Sequence, residues 1–533
     1  MTKKVNQIVL CILILYLIYC SLNIGIHWDE LNIMQFGEDR LKYLFSLGSN
    51  TDYQNQWNSR FYPGAYSTIA MFITKMFPMS YEIEILHIVN MSFGVSALFG
   101  LSKIAKELFN DKVSKITFLI CFLNPHFFNH MIMNERDLIV AFCNIWTTYL
   151  ILRYLKNQNI YQKRNKYVIF AGLAVGLGLG VRVAFLGTLL PIIFLSLIDI
   201  LFLKKIVNKN FSLKKFLFDC LKIIIIAYFF MIAFWPHTHE NIFILPFKFV
   251  FESFSTSQIG APLGLLNGEF YFTKQTPKSY IFVNLINKLP EFILFAYIIF
   301  IFILFNRKNF FAAKFKSFYY KIFIITLIII FPNLVLFINP YSIYDGIRHF
   351  LYIIPYISII PALIIYYLYS SLNNQLNKIL LISILSMFLF FLFNFLSLTP
   401  YHYTYLNTFS GKFINADKKF ENDYWGISLR ELINQIPNNE EFLYEKKIKL
   451  ASCGISEGTL KYYLKKLKNI RFTLVNPHDQ YDYIIMTNRV VWNEEGVKNP
   501  KKAKTCYDTY KGKNILTVSR KKLTLSAIRK SND

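Results

Sequence analysis

The stretch GIHWDELN, residues 25–32, closes the first long apolar run of the chain, Ile8–Ile26, with two adjacent acids, Asp29 and Glu30. Every membrane helix must end in something polar, and Trp28 suits the aromatic belt at a bilayer surface. A carboxylate at a membrane rim can also take a proton from a substrate. These eight residues alone leave both readings open, and the rest of the sequence has to separate them.

The chain has 533 residues, 54% of them hydrophobic and 18% aromatic, with a mean hydropathy of +0.36. Apolar stretches near 20 residues recur, and each is long enough to cross about 30 Å of hydrocarbon. About eleven such spans are read, at roughly 7–26, 84–104, 115–133, 138–155, 167–182, 183–203, 217–236, 280–305, 321–339, 350–371 and 379–398. The span 167–182 is short and carries the Gly-rich AGLAVGLGLG. The opening MTKKVNQ and its apolar run are similar to a signal peptide. That run exceeds a signal h-region and has no small-residue cleavage site, so it is read as a retained first helix. The expected fold class is a polytopic α-helical membrane protein with a small C-terminal extracytoplasmic α/β domain. The expected domains are 1–398, transmembrane, and 399–533, soluble.

Formal net charge is +26. In a soluble protein this would suggest nucleic acid. Here the Lys and Arg gather in alternate short loops: KELFNDKVSK, KNQNIYQKRNK, KKIVNKNFSLKK and NRKNFFAAKFKSFYYK. The opposite loops, 27–83, NERD, 237–279 and NPYSIYDGIRH, hold most of the acids and few Lys. This asymmetry predicts a cytoplasmic N terminus and an outer C-terminal region. The outer loop 27–83 has two amphipathic pieces suited to interface helices. In the C-terminal region KIKLASCG, RFTLV and YDYIIMT read as strands. SEGTLKYYLKKLK and SLRELINQI read as helices. Cys453 and Cys506 lie there, with a disulfide open to them. No CxxC or HExxH spacing signals a metal site.

The polar residues crowd one face of this membrane, at helix ends. Burial in lipid would be costly, so they pair or face a wet cavity. In MNERDLIV, Asp137 reads as a cap of the next helix, and Glu135 and Arg136 as an ion pair, unless they line a site. In YDGIRHFLYIIPY, Asp345 begins a turn, and Arg348 and His349 precede a long helix on the side that disfavours cations. Retaining them there suggests an anion to bind. Arg182, between two apolar runs, is similar. WPHTHE places two histidines, His237 and His239, beside Glu240 without an evident further partner for a metal. Combined, carboxylates and separated cations on one face suit transfer from a lipid-linked phosphate. The acid takes the acceptor proton, and Arg and His hold the leaving phosphate.

With its Asp-Glu pair after a first helix, DELNIMQFGEDRLKYLFSLGSNTDYQNQWNSRFYPGAY (residues 29–66) resembles the outer loop of GT-C membrane glycosyltransferases. Within them it is similar to the branch of protein O-mannosyltransferases and lipid A aminoarabinose transferases. YHYTYLNTFSG and FENDYWGISLREL resemble a segment that follows the last span in bacterial members. The resemblance covers roughly residues 1 to 400. It implies inverting transfer of a sugar from a polyprenyl-phosphate donor at the outer face of a bacterial cytoplasmic membrane. It places the base on Asp29, with Glu30 supporting it, and the donor phosphate on Arg348, His349 and Arg182. Arg60, Tyr62, Glu135, Arg136, Asp345, Asp423 and Trp425 are the further candidates for lining the site. No cofactor is expected. The acceptor would be an envelope glycan, lipid or protein. Loop 237–279 is too short for the large lumenal insert of the mannosyltransferases, which weakens a protein acceptor. The rival readings are a transporter or flippase of lipid-linked glycan and a non-catalytic scaffold. Neither predicts that Asp29 is needed for sugar transfer.

Overall fold

The computed structural model describes residues 3–55, 57–255, 261–306, 308–411, 415–443, 447–467 and 471–531. The first apolar run forms α1 (Lys3–Asn23). The chain then breaks at the quoted stretch and restarts as α2 (Glu30–Phe45). At the break Gly25 donates its amide to the Ile427 carbonyl at 3.2 Å. A Cβ on Gly25 would sit 2.4 Å from that oxygen, so the approach requires glycine. The rim of the first helix is thus sewn to the C-terminal region. The outer loop continues into α3 (Ala65–Thr74), an apolar helix too short to cross, packed on α2.

Among the described residues seven helices are long and apolar enough to cross a membrane, or nine if two bent pairs each count as one span. These nine coincide with nine of the eleven expected spans. The remaining two expectations fall on α1 and on the Gly-rich helix Tyr161–Val181, which is 21 residues long but too polar to qualify. One bent pair is Asp111–Phe122 with Pro125–Met133, at 70°. Its bend has a local cause: the Asn124 side chain accepts the Phe127 amide and Pro125 starts the second piece.

The helices differ in what they face. The segment Arg348–Ser370 is 94% buried, whereas Leu213–Ala233 and Gln375–Ser397 are each 22% buried. Apolar helices that are exposed to this degree suit lipid, and the first of the three is the centre of the bundle. Its N-terminal end carries Arg348 and His349, so those two basic side chains are held where the helices converge.

In the C-terminal region strands run in the order β4-β3-β5-β7-β6, numbered after a small hairpin, β1 (Leu263–Leu266) and β2 (Glu269–Phe272). They are β3 (Lys447–Cys453), β4 (Arg471–Leu474), β5 (Tyr483–Thr487), β6 (Asn514–Arg520) and β7 (Leu523–Lys530). β3 pairs in parallel with β4 and β5, and β7 pairs antiparallel with β5 and β6. The three expected strands and both helices form: Leu429–Asn434 and Glu457–Leu464. Lys468, the last residue of the second expected helix, lies outside the described residues. The hairpin β6–β7 is an addition to the sequence reading. Alternate residues of the sheet serve two cores. Ile448, Leu450, Tyr483, Ile485 and Ile528 join the core of the helical bundle. Ala451, Ile484, Met486 and Ala527 form a second one with Cys506, which is disulfide-bonded to Cys453.

Candidate functional site

Asp29 and Glu30 open α2, and their surroundings are opposite. Glu30 is fully buried. One of its oxygens lies 2.9 Å from His87 Nε2 and the other accepts the His27 amide at 2.9 Å. Asp29 is half-buried. Its amide donates to His27 Nδ1 at 3.2 Å. Its carboxylate has no hydrogen bond and no ion pair within 4 Å among the described residues. Burial alone would push the Asp29 carboxyl up. Arg136 and Arg348, then His27 and Arg489, outweigh burial and hold it below the ordinary carboxylate value.

The turn after Met133 builds the next wall. Asn134 Oδ1 accepts the amides of Arg136 at 3.1 Å and Asp137 at 2.8 Å. The cap of the helix Asp137–Asn157 therefore comes from Asn134, and Asp137 is released for another use: it meets Arg182 at 2.8 Å. Arg348 and His349 also lie within electrostatic reach of Asp137. Nor do Glu135 and Arg136 pair with each other. Glu135 is buried 2.9 Å from His27 Nε2, and Arg136 covers the Tyr62 ring at 4.3 Å. Glu135, Arg136 and Tyr62 line one small cavity beneath α2 with Arg40.

Arg348 lies 3.0 Å from Asp345 and covers the rings of Tyr344 and Trp425 at 5.0 and 5.1 Å. Its Nε is buried without a hydrogen-bond partner. His349 packs edge-on against Tyr344, and its ring nitrogens make no hydrogen bond among the described residues. The cluster thus keeps donors uncommitted beside cations already neutralised by Asp345 and Asp137. An incoming phosphate would meet hydrogen-bond donors in a site from which most water is excluded.

Trp425 belongs to this centre, stacked on His27 at 4.6 Å. Asp423 does not line it. That carboxylate accepts from the Ser428 hydroxyl at 2.5 Å, from the Ile427 and Ser428 amides and from Tyr403. It organises the turn that presents Trp425. Arg60 stands apart, 3.7 Å from Glu252 and near His237. His237 and His239 turn to Ser59 and Tyr43. Among the described residues no three His, Cys, Asp or Glu gather to hold a metal.

Three residues that carry the site are absent from the sequence reading: His27, His87 and Arg489. His27 and His87 hold the Glu135 and Glu30 carboxylates. Arg489 donates to Asp345 at 3.1 Å and to the Tyr424 carbonyl, and covers Trp28 at 5.0 Å. Trp28 is therefore under a cation and not in a lipid belt. Tyr424 in turn contacts His130 at 3.2 Å. An Arg two residues after the buried strand β5, in TNRV, is the one sequence signal for Arg489.

The fold around this site has a break after the first helix, an acid at the rim of α2, basic side chains converging on one end of a helical bundle and a closing α/β layer. ArnT from Cupriavidus metallidurans in the apo state has the same fold, with a TM-score of 0.50 and 11% identity over 99% of this chain and 98% of that one. The same protein bound to undecaprenyl phosphate gives 0.50 and 10% with the same coverage. Residues 63–237 match the family of Dolichyl-phosphate-mannose-protein mannosyltransferase. No curated protein matches the chain. The fold is that of ArnT, the kind of fold that the sequence resemblance implied.

Proposed function

We propose that the chain transfers a sugar from a polyprenyl-phosphate donor to an acceptor hydroxyl at the outer face of the bacterial cytoplasmic membrane, with inversion. The acceptor O–H loses its proton to an Asp29 carboxylate oxygen as the acceptor oxygen bonds to the anomeric carbon. The bond from that carbon to the phosphate oxygen breaks on the opposite side. Polyprenyl phosphate leaves with the electron pair, held by Arg348, His349 and Arg182. One displacement inverts the anomeric centre. Glu30 supports the base by fixing the start of α2 through His87 and His27. The structure of ArnT with undecaprenyl phosphate supports a donor of this class. The acceptor would be an envelope glycan, lipid or protein, and residues 399–533 would form the domain that shapes access to it. With an odd number of spans and a cytoplasmic N terminus, that domain would lie outside.

The observation that carries the reading is the Asp29 carboxylate: it takes no hydrogen-bond or ion-pair partner among the described residues, yet lies in the field of Arg136, Arg348 and Arg489. The test is Asp29→Asn in membranes supplied with labelled polyprenyl-phosphate sugars. Wild type should pass label to envelope material and the variant, at equal expression, should not. Equal transfer by both would remove Asp29 from the mechanism. Donor binding without transfer by either would favour the flippase.

A further inference from the structure

Beside the cation cluster, behind Asp345, lies a second polar cavity that the reaction above does not use. It is enclosed by the β1–β2 hairpin, the helix Tyr280–Lys288, the turn at Gly346 and the segment Phe420–Glu421. It has about 10 Å³ of space for the centre of a water-sized group, enough for one water or one hydroxyl. Most of its polar lining is committed. Tyr280 donates to the Gly346 carbonyl and Tyr271 to the Ile343 carbonyl. Glu421 accepts the Val490 amide at 3.0 Å. Asp345 has one oxygen on Arg348 and the other on Arg489.

Two groups are left over. Lys288 is 5% exposed, and its ammonium lies over the Phe420 ring at 5.2 Å but makes no hydrogen bond and no ion pair within 4 Å among the described residues. Asn284 is 1% exposed, and its Oδ1 is without a partner. The amide orientation is fixed, because Nδ2 donates to the Tyr280 carbonyl at 3.0 Å. Both groups aim at the same point. A Cβ added to Gly346 would lie 2.5 Å from Lys288 Nζ and 3.9 Å from Asn284 Oδ1, and Gly346 has φ +65°. The glycine keeps the space between them open.

Leaving a buried ammonium and a buried amide oxygen unmade is costly. An occupant must accept a hydrogen bond from Lys288 and donate one to Asn284. A phosphate or carboxylate accepts only, and would face Asn284 Oδ1, Glu421 and Asp345. A protonated amine donates only. A hydroxyl does both. We propose that Lys288 and Asn284 read a hydroxyl of the transferred sugar, making this cavity the determinant of donor sugar identity. The assignment rests on the glycosyltransferase reading, because it needs the donor phosphate at Arg348, one wall away.

The experiment measures binding, not transfer, so it is independent of Asp29. Purified full-length protein is titrated with undecaprenyl phosphate and with the same lipid carrying glucose, galactose, mannose or N-acetylglucosamine. Wild type should bind one sugar lipid more tightly than the bare lipid. Lys288→Met and Asn284→Leu should each cut that preference by about tenfold or more and leave bare-lipid binding unchanged. Bare-lipid binding also reports that each variant is folded. Preference retained in both variants overturns the proposal, since the cavity then holds only water. So does equal weakening of bare and sugar-bearing lipid, or a wild type that distinguishes none of the sugars. A wild type that does not bind undecaprenyl phosphate fails one step earlier and overturns the glycosyltransferase reading itself.

Discussion

The carboxylates of Asp29 and Glu30 are consecutive in the chain and serve opposite purposes. Glu30 lies 2.9 Å from His87 and is wholly buried, whereas the Asp29 carboxylate accepts no hydrogen bond among the described residues and lies in the field of Arg136 and Arg348. Successive residues at a helix start point about 100° apart, since a turn holds about 3.6 residues. If one is driven into the core the next emerges beside it. The rim of a membrane helix needs only something polar, and that need does not account for a carboxylate kept unpaired among cations.

The two acids should therefore fail differently. Asp29→Asn should lower transfer by about 10²- to 10⁴-fold and lower the thermal midpoint only by the small stabilisation its held-down carboxyl supplies. Glu30→Ala strands the His87 imidazole in the core and should cost about 3–5 kcal/mol of stability. Thermal unfolding in detergent beside a transfer assay separates them. A stable, inactive Glu30→Ala protein would move the catalytic role off Asp29.

The pH profile follows from the cations around Asp29. Its carboxyl is held below the ordinary 3.8, so the base form is present above that value. Its contribution to stability is likewise present above about pH 4 and lost as pH falls through the folded value. No acid limb from Asp29 is expected between pH 5 and 7, taken as the range about and above its unperturbed titration. Arg136→Gln removes the largest lowering influence while burial remains. The acid limb of the rate should then move upward. A limb that stays in place would mean that Arg136 does not act on Asp29.

Arg489 joins the C-terminal region to the bundle. Its guanidinium neutralises Asp345 and lies 3.8 Å from Glu421, both buried. Arg489→Met leaves Asp345 with Arg348 alone and Glu421 without its cation, at a cost of about 3–5 kcal/mol. Faster proteolysis near residues 421–425 and weaker donor binding should appear together. Loss of binding with unchanged proteolysis would assign Arg489 to the ligand and not to the joint.

The helical spans were legible because lipid demands about 20 apolar residues without interruption, and the alternation opening KIKLASC and the continuous apolar run of YIIMT mark strands buried on one face and on two. The hairpin β6–β7 is obscured by Lys and Arg at its turn and ends. Within the site, Asp29, Arg182, Arg348 and His349 could be read as polar residues at the outer ends of spans. Their partners could not. His27 meets Glu135 across 108 residues and Arg489 meets Asp345 across 144, and no local pattern encodes such pairings. Arg60 shows the converse. It sits in the outer loop with the right chemistry, but the fold carries it to Glu252.

The disulfide offers a last test, of orientation as much as of stability. Cys453 ends β3 and Cys506 lies 53 residues later, with Cα atoms 5.8 Å apart. The bridge closes that loop over the outer core of the sheet, while the opposite face of the sheet is continuous with the helical bundle. Closing a loop of this length is worth about 2–4 kcal/mol, largely by constraining the unfolded chain. Cys453→Ser should therefore loosen the segment between the two positions first, with protease cuts there and the bundle still protected. In cells, a bond of this kind persists where the compartment is oxidising. Neither thiol should react with an alkylating probe until a reductant is added. Free thiols in untreated cells would place residues 399–533 in the cytoplasm. That would reverse the orientation on which an outer-face acceptor depends.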